Sequence, residues 1–344
     1  MKRGISLYSY QELYYRGELD LEGCVANAAA TGATGIEILV DQMIPGYPSL
    51  RYNLSAAFVD SWQALLAKYR VEPVTFDIYG ETKLYKGQIC SDAELSQQLV
   101  ELFKTGSALG FPIMRINFLV PPSVIEMLVP YAEEMGVRMA IEVHAPHRID
   151  GPWVQETLEI AQRRGTKNLG IMPDFGTYCR NIPRLVLEES RRKGVSENII
   201  AYLSEQYHES NKPTDLLDRV KRMGGNEAAE WLARRVELGV WINDDPSLLA
   251  PLMPYVFHAH GKFYEMTEDL VEPDVRYEDV MRVLGEHGYS GYISSEYEGQ
   301  RLTQDIDPGY DEIEQVRRHQ AMLERYLAEP AIPTSLQGGG RGAR

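Results

Sequence analysis

Apolar and polar positions along this chain alternate between two patterns. Short apolar runs, many of them rich in β-branched and aromatic residues, predict eight strands at 4–10, 35–39, 72–80, 112–120, 137–145, 168–178, 255–263 and 291–299. The longer segments between most of these runs have apolar residues at helical spacing. Ser91 and Glu94 have the spacing of a capping box, which marks the start of one such helix.

Strands that alternate with helices predict a parallel sheet with right-handed crossovers. Eight such units predict an α/β protein with a (β/α)8 TIM barrel. A doubly wound open sheet is the alternative. No Gly-x-Gly-x-x-Gly motif follows the first strand, which argues against that alternative.

One interval interrupts the regular spacing. Strand six ends near Tyr178 and strand seven begins near Tyr255, although one unit needs only about 30 residues. The surplus, about 181–245, has helical spacing and predicts a helical insertion after strand six, which acts as a lid or an oligomer contact. We therefore expect a single barrel domain over 1–330 and a disordered, glycine-rich tail over 331–344.

The composition of the chain limits the kinds of molecule to which it can bind. Asp and Glu number 50 against 35 Lys and Arg, a net charge of −15 that disfavours binding to nucleic acid. The sequence has neither an apolar run long enough for a membrane span nor a signal-peptide core. Three separated cysteines, Cys24, Cys90 and Cys179, indicate a reducing compartment. We expect a cytoplasmic protein that acts on a small molecule.

Candidate functional groups lie where strands end, because the barrel fold places its sites at the carboxyl ends of its strands. Residues two apart share a face of a strand. The polar residues of matching parity are Glu142 and His144 on strand five, Asp174 on strand six, His258, His260 and Lys262 on strand seven, and Glu296 and Glu298 on strand eight. Carboxylates with an imidazole suit Mn²⁺ or Mg²⁺, with Zn²⁺, Co²⁺ or Fe²⁺ as further candidates.

Each residue alone also has a structural interpretation. Glu142 could anchor a loop, His258 could be a core histidine, and Glu298 could be solvated. Glu37, within the second strand, could form a salt bridge on the barrel floor. Ligand-type groups at four successive strand ends favour a metal site over these separate interpretations. The remaining helical histidines, His208, His287 and His319, are interpreted as surface residues.

Four motifs, "AIEVH", "PDFGT", "FHAHGK" and "ISSEYEG", resemble the strand-end motifs of the xylose-isomerase-like TIM barrels, the sugar phosphate isomerase and epimerase superfamily. The resemblance covers roughly 1–180 and 246–327. The resemblance implies one divalent metal, with Mn²⁺ as the first candidate. His260 is chosen over His258 as the ligand because Gly261 and Lys262 follow it, as such residues follow the histidine ligand of the family. The implied ligands are Glu142, Asp174, His260 and Glu296.

Two further stretches, "SLYSYQELYYRGELDLEGCV" and "DQMIPGYPS", are similar to the large subunits of bacterial C-glycoside deglycosidases. Those enzymes cleave the carbon–carbon bond between an oxidised sugar and an aromatic aglycone, such as a flavonoid, and they work with a small second subunit. The resemblance implies an oxidised C-glycoside as the substrate and a small β subunit as the partner. A divalent-metal ketose 3-epimerase or aldose–ketose isomerase is the alternative, with a ketose as substrate.

This chemistry needs a metal at a sugar ketone, a base for the neighbouring proton and an acid for the leaving carbon. His144 is the candidate base or acid because it shares a face with Glu142 and titrates near neutrality. Glu296 is a second proton-transfer candidate, as the resemblance implies. Lys262 could bind a sugar hydroxyl or the enolate oxygen, or form a salt bridge with a neighbouring acid.

The remaining candidates would contact the substrate. Asp77 and Asn117 end strands three and four and could bind sugar hydroxyls. Tyr178 could pack against a ring of the substrate, or only against the core. His258 and Glu298 complete the predicted set. Two other classes are disfavoured: a zinc enzyme of abasic-DNA repair by the net charge and the seven histidines, and a metal-free scaffold by the four ligand types.

Overall fold

The computed structural model describes residues 1–46, 54–83, 86–209, 213–306 and 311–328. Within these ranges the strands are β1 (Lys2–Ser6), β2 (Gly35–Leu39), β3 (Glu72–Ile78), β4 (Ile113–Ile116), β5 (Arg138–Val143), β6 (Leu169–Pro173), β7 (Ala259–Phe263) and β8 (Tyr292–Tyr297). All pair in parallel, in the order β6-β5-β4-β3-β2-β1-β8-β7.

The two end strands of this order meet and nearly close the sheet. Bridges join Ile171 to Val256 and Asp174 to His260, both in parallel. The Phe257 amide also donates to the Ile171 carbonyl at 3.1 Å. The predicted (β/α)8 TIM barrel is therefore confirmed, and the doubly wound alternative is wrong.

Helices occupy the intervals between strands. Their bounds are α1 (Gln11–Tyr15), α2 (Leu21–Ala30), α3 (Val40–Met43), α4 (Ala56–Tyr69), α5 (Asp92–Ala108), α6 (Pro122–Met135), α7 (Pro152–Arg164), α8 (Arg184–Arg192), α9 (Glu197–Glu209), α10 (Leu216–Arg222), α11 (Glu227–Glu237), α12 (Tyr277–Glu286) and α13 (Glu312–Ala328). The predicted capping box forms at the start of α5, where the Glu94 carboxylate accepts from the Ser91 amide at 2.8 Å. Among the described residues, no helix is long and apolar enough to cross a bilayer.

Several strands are shorter than their apolar runs predict. Residues 7–10 form a 3₁₀ turn, because the Ser9 hydroxyl donates to the Ser295 carbonyl at 3.1 Å and accepts from the Tyr297 amide at 2.9 Å. This contact holds the turn against β8 through a side chain. Strand β7 begins only at Ala259, and a 3₁₀ segment that contains Pro251 and Pro254 extends to Tyr255, where the predicted strand would begin.

The predicted insertion after β6 is helical and consists of α8 to α11 in the described ranges. It rests on the loops that follow β7 and β8. Arg184 pairs with Glu265 at 2.8 Å, and the Arg192 guanidinium donates to the Leu302 carbonyl at 2.7 Å. The insertion therefore stands at the carboxyl ends of the strands. The predicted tail, 331–344, lies outside the described residues.

The floor of the barrel is a layer of apolar side chains, and the polar centre lies one layer above it. Ile113, Ala140 and Met172 form a buried cluster, with Phe257 packed against it. Each of the first three lies two residues before a polar residue, namely Arg115 on β4, Glu142 on β5 and Asp174 directly after β6, so the polar residue faces the interior one layer higher.

His319 corrects a prediction, because it is not a surface residue. It is fully buried on α13, its Nδ1 lies 2.6 Å from the Ser295 hydroxyl, and its Nε2 lies 2.6 Å from the Tyr277 hydroxyl. Its ring stacks on Phe263 at 4.1 Å. Burial lowers the pKa of His319 to about 3.

We expect that replacing His319 with glutamine makes the free energy of unfolding depend less on pH below neutrality. The folded pKa of about 3 lies below the unfolded value, so the unfolded chain binds the proton first as the pH falls. The wild-type protein therefore loses about 3 kcal/mol of unfolding free energy from this group between pH 7 and pH 4. Urea titrations at both pH values measure the difference. His208→Gln, at an exposed position, is the control, and parallel profiles for the two variants would contradict the prediction.

Candidate metal centre

Glu142 supplies the first ligand-type group of the centre. It lies near the end of β5, is fully buried, and divides its two carboxylate oxygens between two partners. Oε1 lies 2.9 Å from Nδ1 of His260, and Oε2 accepts from the Arg115 guanidinium. Oε1 is therefore the oxygen that faces the other polar groups.

Asp174 is oriented by the turn that follows β6. Its Oδ1 accepts from the Gly176 amide at 2.7 Å, and its carbonyl accepts from the Thr177 hydroxyl at 2.8 Å. This local bonding ends the strand and leaves Oδ2 2.7 Å from Nζ of Lys262. Gly176 is required here, because a Cβ atom would lie 2.8 Å from the Lys262 side chain.

His260 connects the centre to the barrel interior. Nδ1 faces Glu142 at 2.9 Å and Glu296 at 3.4 Å, whereas Nε2 lies 2.8 Å from Oε1 of Glu37. Burial opposes protonation, but Glu296 and Glu37 raise the pKa of His260 well above its ordinary value. A carboxylate on one ring nitrogen fixes the orientation of the other, so Nδ1 is the nitrogen available to a metal.

The four predicted ligands come together. Glu142, Asp174, His260 and Glu296 are buried and each offers one ligand atom, and these atoms all lie within 4.8 Å of one another. Burial, with Asp174 and Glu142 nearby, raises the pKa of Glu296 to about 7, while His260 and Lys262 oppose this shift.

The charge of this region also fits a bound cation. Five carboxyl groups are buried together, against two side chains that carry permanent positive charge, Arg115 and Lys262. Excess buried negative charge is unfavourable unless a cation compensates it. The carboxyl groups are Glu37, Asp77, Glu142, Asp174 and Glu296. The donor set therefore fits one divalent metal ion.

Glu37 supports both histidines of β7. Besides its contact with His260, its Oε2 lies 3.2 Å from Nε2 of His258, which also contacts the Ser294 hydroxyl at 2.8 Å. Burial alone would raise the pKa of Glu37, but His260 and His258 hold it below its ordinary value. The salt-bridge interpretation left open for Glu37 therefore agrees with the structure. The full burial of His258 favours its interpretation as a core histidine.

Arg115 is the functional candidate that the sequence reasoning missed. It lies on β4, is 5% exposed, pairs with Glu142, and approaches Asp77 at 3.7 Å. Its guanidinium also donates to the Tyr79 hydroxyl at 3.0 Å. The available signal was an arginine inside an apolar strand, two residues before Asn117 and so of the same parity.

His144 stands at the edge of the centre. Its side chain is 28% exposed, and Nε2 lies 3.7 Å from Oδ2 of Asp174. Phe118 stacks on the imidazole with a centroid distance of 4.8 Å and an interplanar angle of 7°. His144 is therefore both held in place and accessible beside the four ligand-type groups.

The remaining predicted residues are distributed around this centre. Lys262 pairs with Asp174 and, at 3.3 Å, with Glu296. Asn117 accepts from the Leu119 amide at 2.9 Å, which turns its oxygen toward its own loop. Glu298 accepts from the Tyr8 hydroxyl at 2.8 Å. Tyr178 is fully buried and packs edge-on against Phe175.

Fold and site together define a class: a (β/α)8 barrel with a buried carboxylate and histidine cluster that could bind a metal ion at the carboxyl ends of its strands. No protein-family model matches the chain.

Curated relatives and solved structures narrow this class. The chain is 28% identical over 310 residues to the C-glycoside deglycosidase alpha subunit of Microbacterium trichothecenolyticum, covering 86% of this chain and 83% of the relative. It is also 28% identical over 343 residues to the 3′-dehydrocarminate deglycosidase alpha subunit of a Microbacterium species, covering 95% of each. The resemblance to deglycosidase alpha subunits is confirmed, and these names support an enzyme.

Solved structures share the barrel at low identity. L-ribulose 3-epimerase superposes with a TM-score of 0.58 at 10% identity over all of both chains. The IolI protein with a bound zinc atom superposes with a TM-score of 0.55 at 14% identity, covering 96% of this chain and 99% of that one. These likenesses show the (β/α)8 barrel fold.

We expect removal of divalent metal to lower the thermal stability of the protein. A ligand that binds only the folded state stabilises it by mass action, so dialysis against EDTA lowers the Tm by about 5 °C. Differential scanning fluorimetry before and after dialysis measures the shift, and added Mn²⁺ restores it. The Asp174→Asn variant does not respond to either treatment. An unchanged wild-type Tm would contradict a metal at this centre.

Proposed function

We propose that this chain is the large subunit of a metal-dependent C-glycoside deglycosidase. Its substrate is a 3-oxo-sugar joined by a carbon–carbon bond to an aromatic aglycone. The observation that carries the proposal is the buried cluster of Glu142, Asp174, His260 and Glu296 in a chain whose curated relatives are named C-glycoside deglycosidase alpha subunits.

The bond to be broken dictates the chemistry. The bridging carbon has no lone pair to protonate, so glycosidase chemistry with two carboxyl groups does not apply. A ketone at C3 acidifies the proton on C2. Loss of this proton and of the C1 substituent forms a C1–C2 double bond, and the departing aryl carbon takes up one proton. The products are an unsaturated oxo-sugar and the free aglycone.

The metal would be held by Glu142, Asp174, His260 and Glu296, with Mn²⁺ as the first candidate. When bound, it supplies Lewis-acid polarisation of a substrate oxygen. The donor set of three carboxylates and one imidazole supports this assignment.

Proton transfer falls to groups beside the ligands. Burial, followed by Lys262, lowers the pKa of His144, which keeps the imidazole neutral and able to accept the C2 proton. Glu296 is the second proton-transfer candidate, and in the metal-free site burial raises its pKa to about 7. Lys262 donates a hydrogen bond to a sugar hydroxyl or to the enolate oxygen.

The residues proposed to contact the substrate are chosen by where they lie relative to the ends of the strands. Asn117 and Glu298 follow β4 and β8 and face the substrate at the rim. Asp77, His258 and Tyr178 are buried more deeply and act from behind the substrate-facing side chains.

The partner is a small β subunit in a cytoplasmic hetero-oligomer. The alpha-subunit names of the relatives support the presence of a second subunit. Co-expression with a candidate small subunit, followed by size-exclusion chromatography, tests it. A stable complex with higher turnover than the isolated chain is the expected result.

A single incubation tests the reaction. The metal-loaded protein, with its small subunit, is incubated with a 3-oxo C-glucoside in heavy water. We expect metal-dependent release of the aglycone and deuterium at C2 of recovered substrate. Exchange without release would indicate proton abstraction alone, and the absence of both would overturn the proposal.

A ketose 3-epimerase or aldose–ketose isomerase is the second candidate. The buried donor set favours it equally, because both reactions begin with proton abstraction beside a carbonyl. Turnover of free ketoses by the isolated chain, without cleavage of C-glycosides, would establish this alternative.

A further inference from the structure

Arg235 on α11 occupies an aromatic cage formed by Trp231 and Trp241. Its guanidinium carbon lies 4.4 Å from the ring centroid of Trp231 and 4.7 Å from that of Trp241. Trp241 is 3% exposed, whereas Trp231 is 44% exposed. The cage therefore has one buried wall and one half-exposed wall, and Nζ of Lys193 lies 5.9 Å from the ring centroid of the half-exposed one.

The carboxylates near this arginine are engaged elsewhere. Glu189 pairs with Lys193 at 2.6 Å, and Glu298 accepts from the Tyr8 hydroxyl at 2.8 Å. Among the described residues, no carboxylate forms an ion pair with Arg235. Its planar set of N–H donors is thus available to a ligand.

The cage lies at the rim of the metal centre. The charged or titratable groups that interact electrostatically with Arg235 include Tyr264 and Glu298, which follow β7 and β8. The same two groups interact electrostatically with Lys262, the partner of Asp174. The Cys179 amide donates to the Ile242 carbonyl at 2.8 Å, so the buried wall of the cage, Trp241, adjoins the segment that follows Asp174.

We propose that Arg235 determines specificity by binding a carboxylate on the aromatic aglycone, with the exposed part of Trp231 against the aglycone ring. The inference rests on the proposed function, from which the aromatic aglycone follows. The guanidinium fork matches a carboxylate in two parallel hydrogen bonds, and the indole matches a flat ring.

Three variants separate recognition from packing. Arg235→Met keeps a long apolar side chain between the indoles and removes the charge. Arg235→Lys keeps the charge and removes the fork. Arg234→Met, at the exposed neighbouring position of α11, is the matched control. Circular dichroism confirms that each variant is folded.

Binding is measured first, by quenching of tryptophan fluorescence in the metal-loaded chain with 1-naphthoate and with the uncharged 1-naphthamide. We expect the wild type and Arg234→Met to bind naphthoate at least about tenfold more tightly than naphthamide. Arg235→Met loses this preference and Arg235→Lys retains part of it. Equal affinities in the wild type, or the same preference in Arg235→Met, would overturn the inference.

Turnover is measured second, with 3-oxo C-glucosides whose aglycones differ only in a carboxylate or its amide. We expect Arg235→Met to lower the ratio of kcat/KM for the acid over the amide by about tenfold, through KM. If the wild type cleaves both but shows no such change in the variant, the inference fails and the proposed function stands. If the wild type cleaves neither, the proposed function fails, and the naphthoate preference alone decides whether Arg235 binds aromatic carboxylates.

Discussion

Replacing Asp174 with asparagine or Glu142 with glutamine abolishes metal retention and lowers turnover on the order of a hundredfold to a thousandfold. Both substitutions preserve size and remove one negative charge from the buried cluster. Asp174→Asn is the cleaner change, because an amide oxygen can still accept from the Gly176 amide and preserve the turn after β6. Glu142→Gln also removes the nearer carboxylate partner of Arg115 and leaves only Asp77 at 3.7 Å, so a loss of stability accompanies it.

Metal content after dialysis, by inductively coupled plasma mass spectrometry, and initial rates with a 3-oxo C-glucoside measure both effects. Glu126→Gln is the matched control, because Glu126 pairs with Arg163 and Arg164 at the surface. It retains one equivalent of metal and full turnover. A full equivalent of metal in Asp174→Asn would remove this aspartate from the ligand set.

The fold could be predicted because its strands and its helices each leave a regular pattern of apolar residues in the sequence. Apolar runs and helical spacing gave the number and order of the strands, and the residue surplus gave the helical insertion. Strand ends were less predictable. Residues 7–10 read as an apolar strand, but side-chain bonds from Ser9 to β8 turn them into a 3₁₀ segment. Such contacts join residues distant in sequence, so no local pattern reveals them.

The site could be predicted as far as alternation along a strand determines which side chains face the barrel interior. Alternation along β5 and β7 placed Glu142, His144 and His260 on the interior face, and the structure brings the predicted ligands together. The choice of His260 over His258 needed the resemblance, because both have the same parity. The structure separates them, since Nδ1 of His260 faces Glu142 and Glu296 while His258 contacts Glu37 and Ser294.

His319 shows the opposite failure, where an available signal was not used. Val316, Gln320 and Leu323 on α13 are buried, so helical spacing places His319 on the same inward face. Its polarity suggested the surface, whereas two hydroxyl partners satisfy both ring nitrogens in the core. Arg115 was also not recognised as a buried polar residue. The carboxylate that stabilises it, Glu142, lies on the neighbouring strand.

Replacing His144 with glutamine leaves the metal in place and lowers kcat by about a hundredfold to ten-thousandfold. The imidazole is not among the four clustered ligand-type residues, and its Nε2 lies 3.7 Å from Asp174. Metal content should therefore equal that of the wild type. This combination separates His144 from Asp174, whose substitution removes both the metal and the turnover.

The pH profile gives the second readout. A base must be neutral to accept a proton, so wild-type kcat/KM falls as the pH drops through the pKa of His144. Because burial and then Lys262 lower that pKa, the fall occurs on the acid side of the ordinary histidine value. The His144→Gln variant lacks this fall, whereas His287→Gln, at an exposed position on the C-terminal side of α12, keeps the wild-type profile. Wild-type turnover with an unchanged profile in His144→Gln would remove His144 from the mechanism and leave Glu296 as the proton-transfer group.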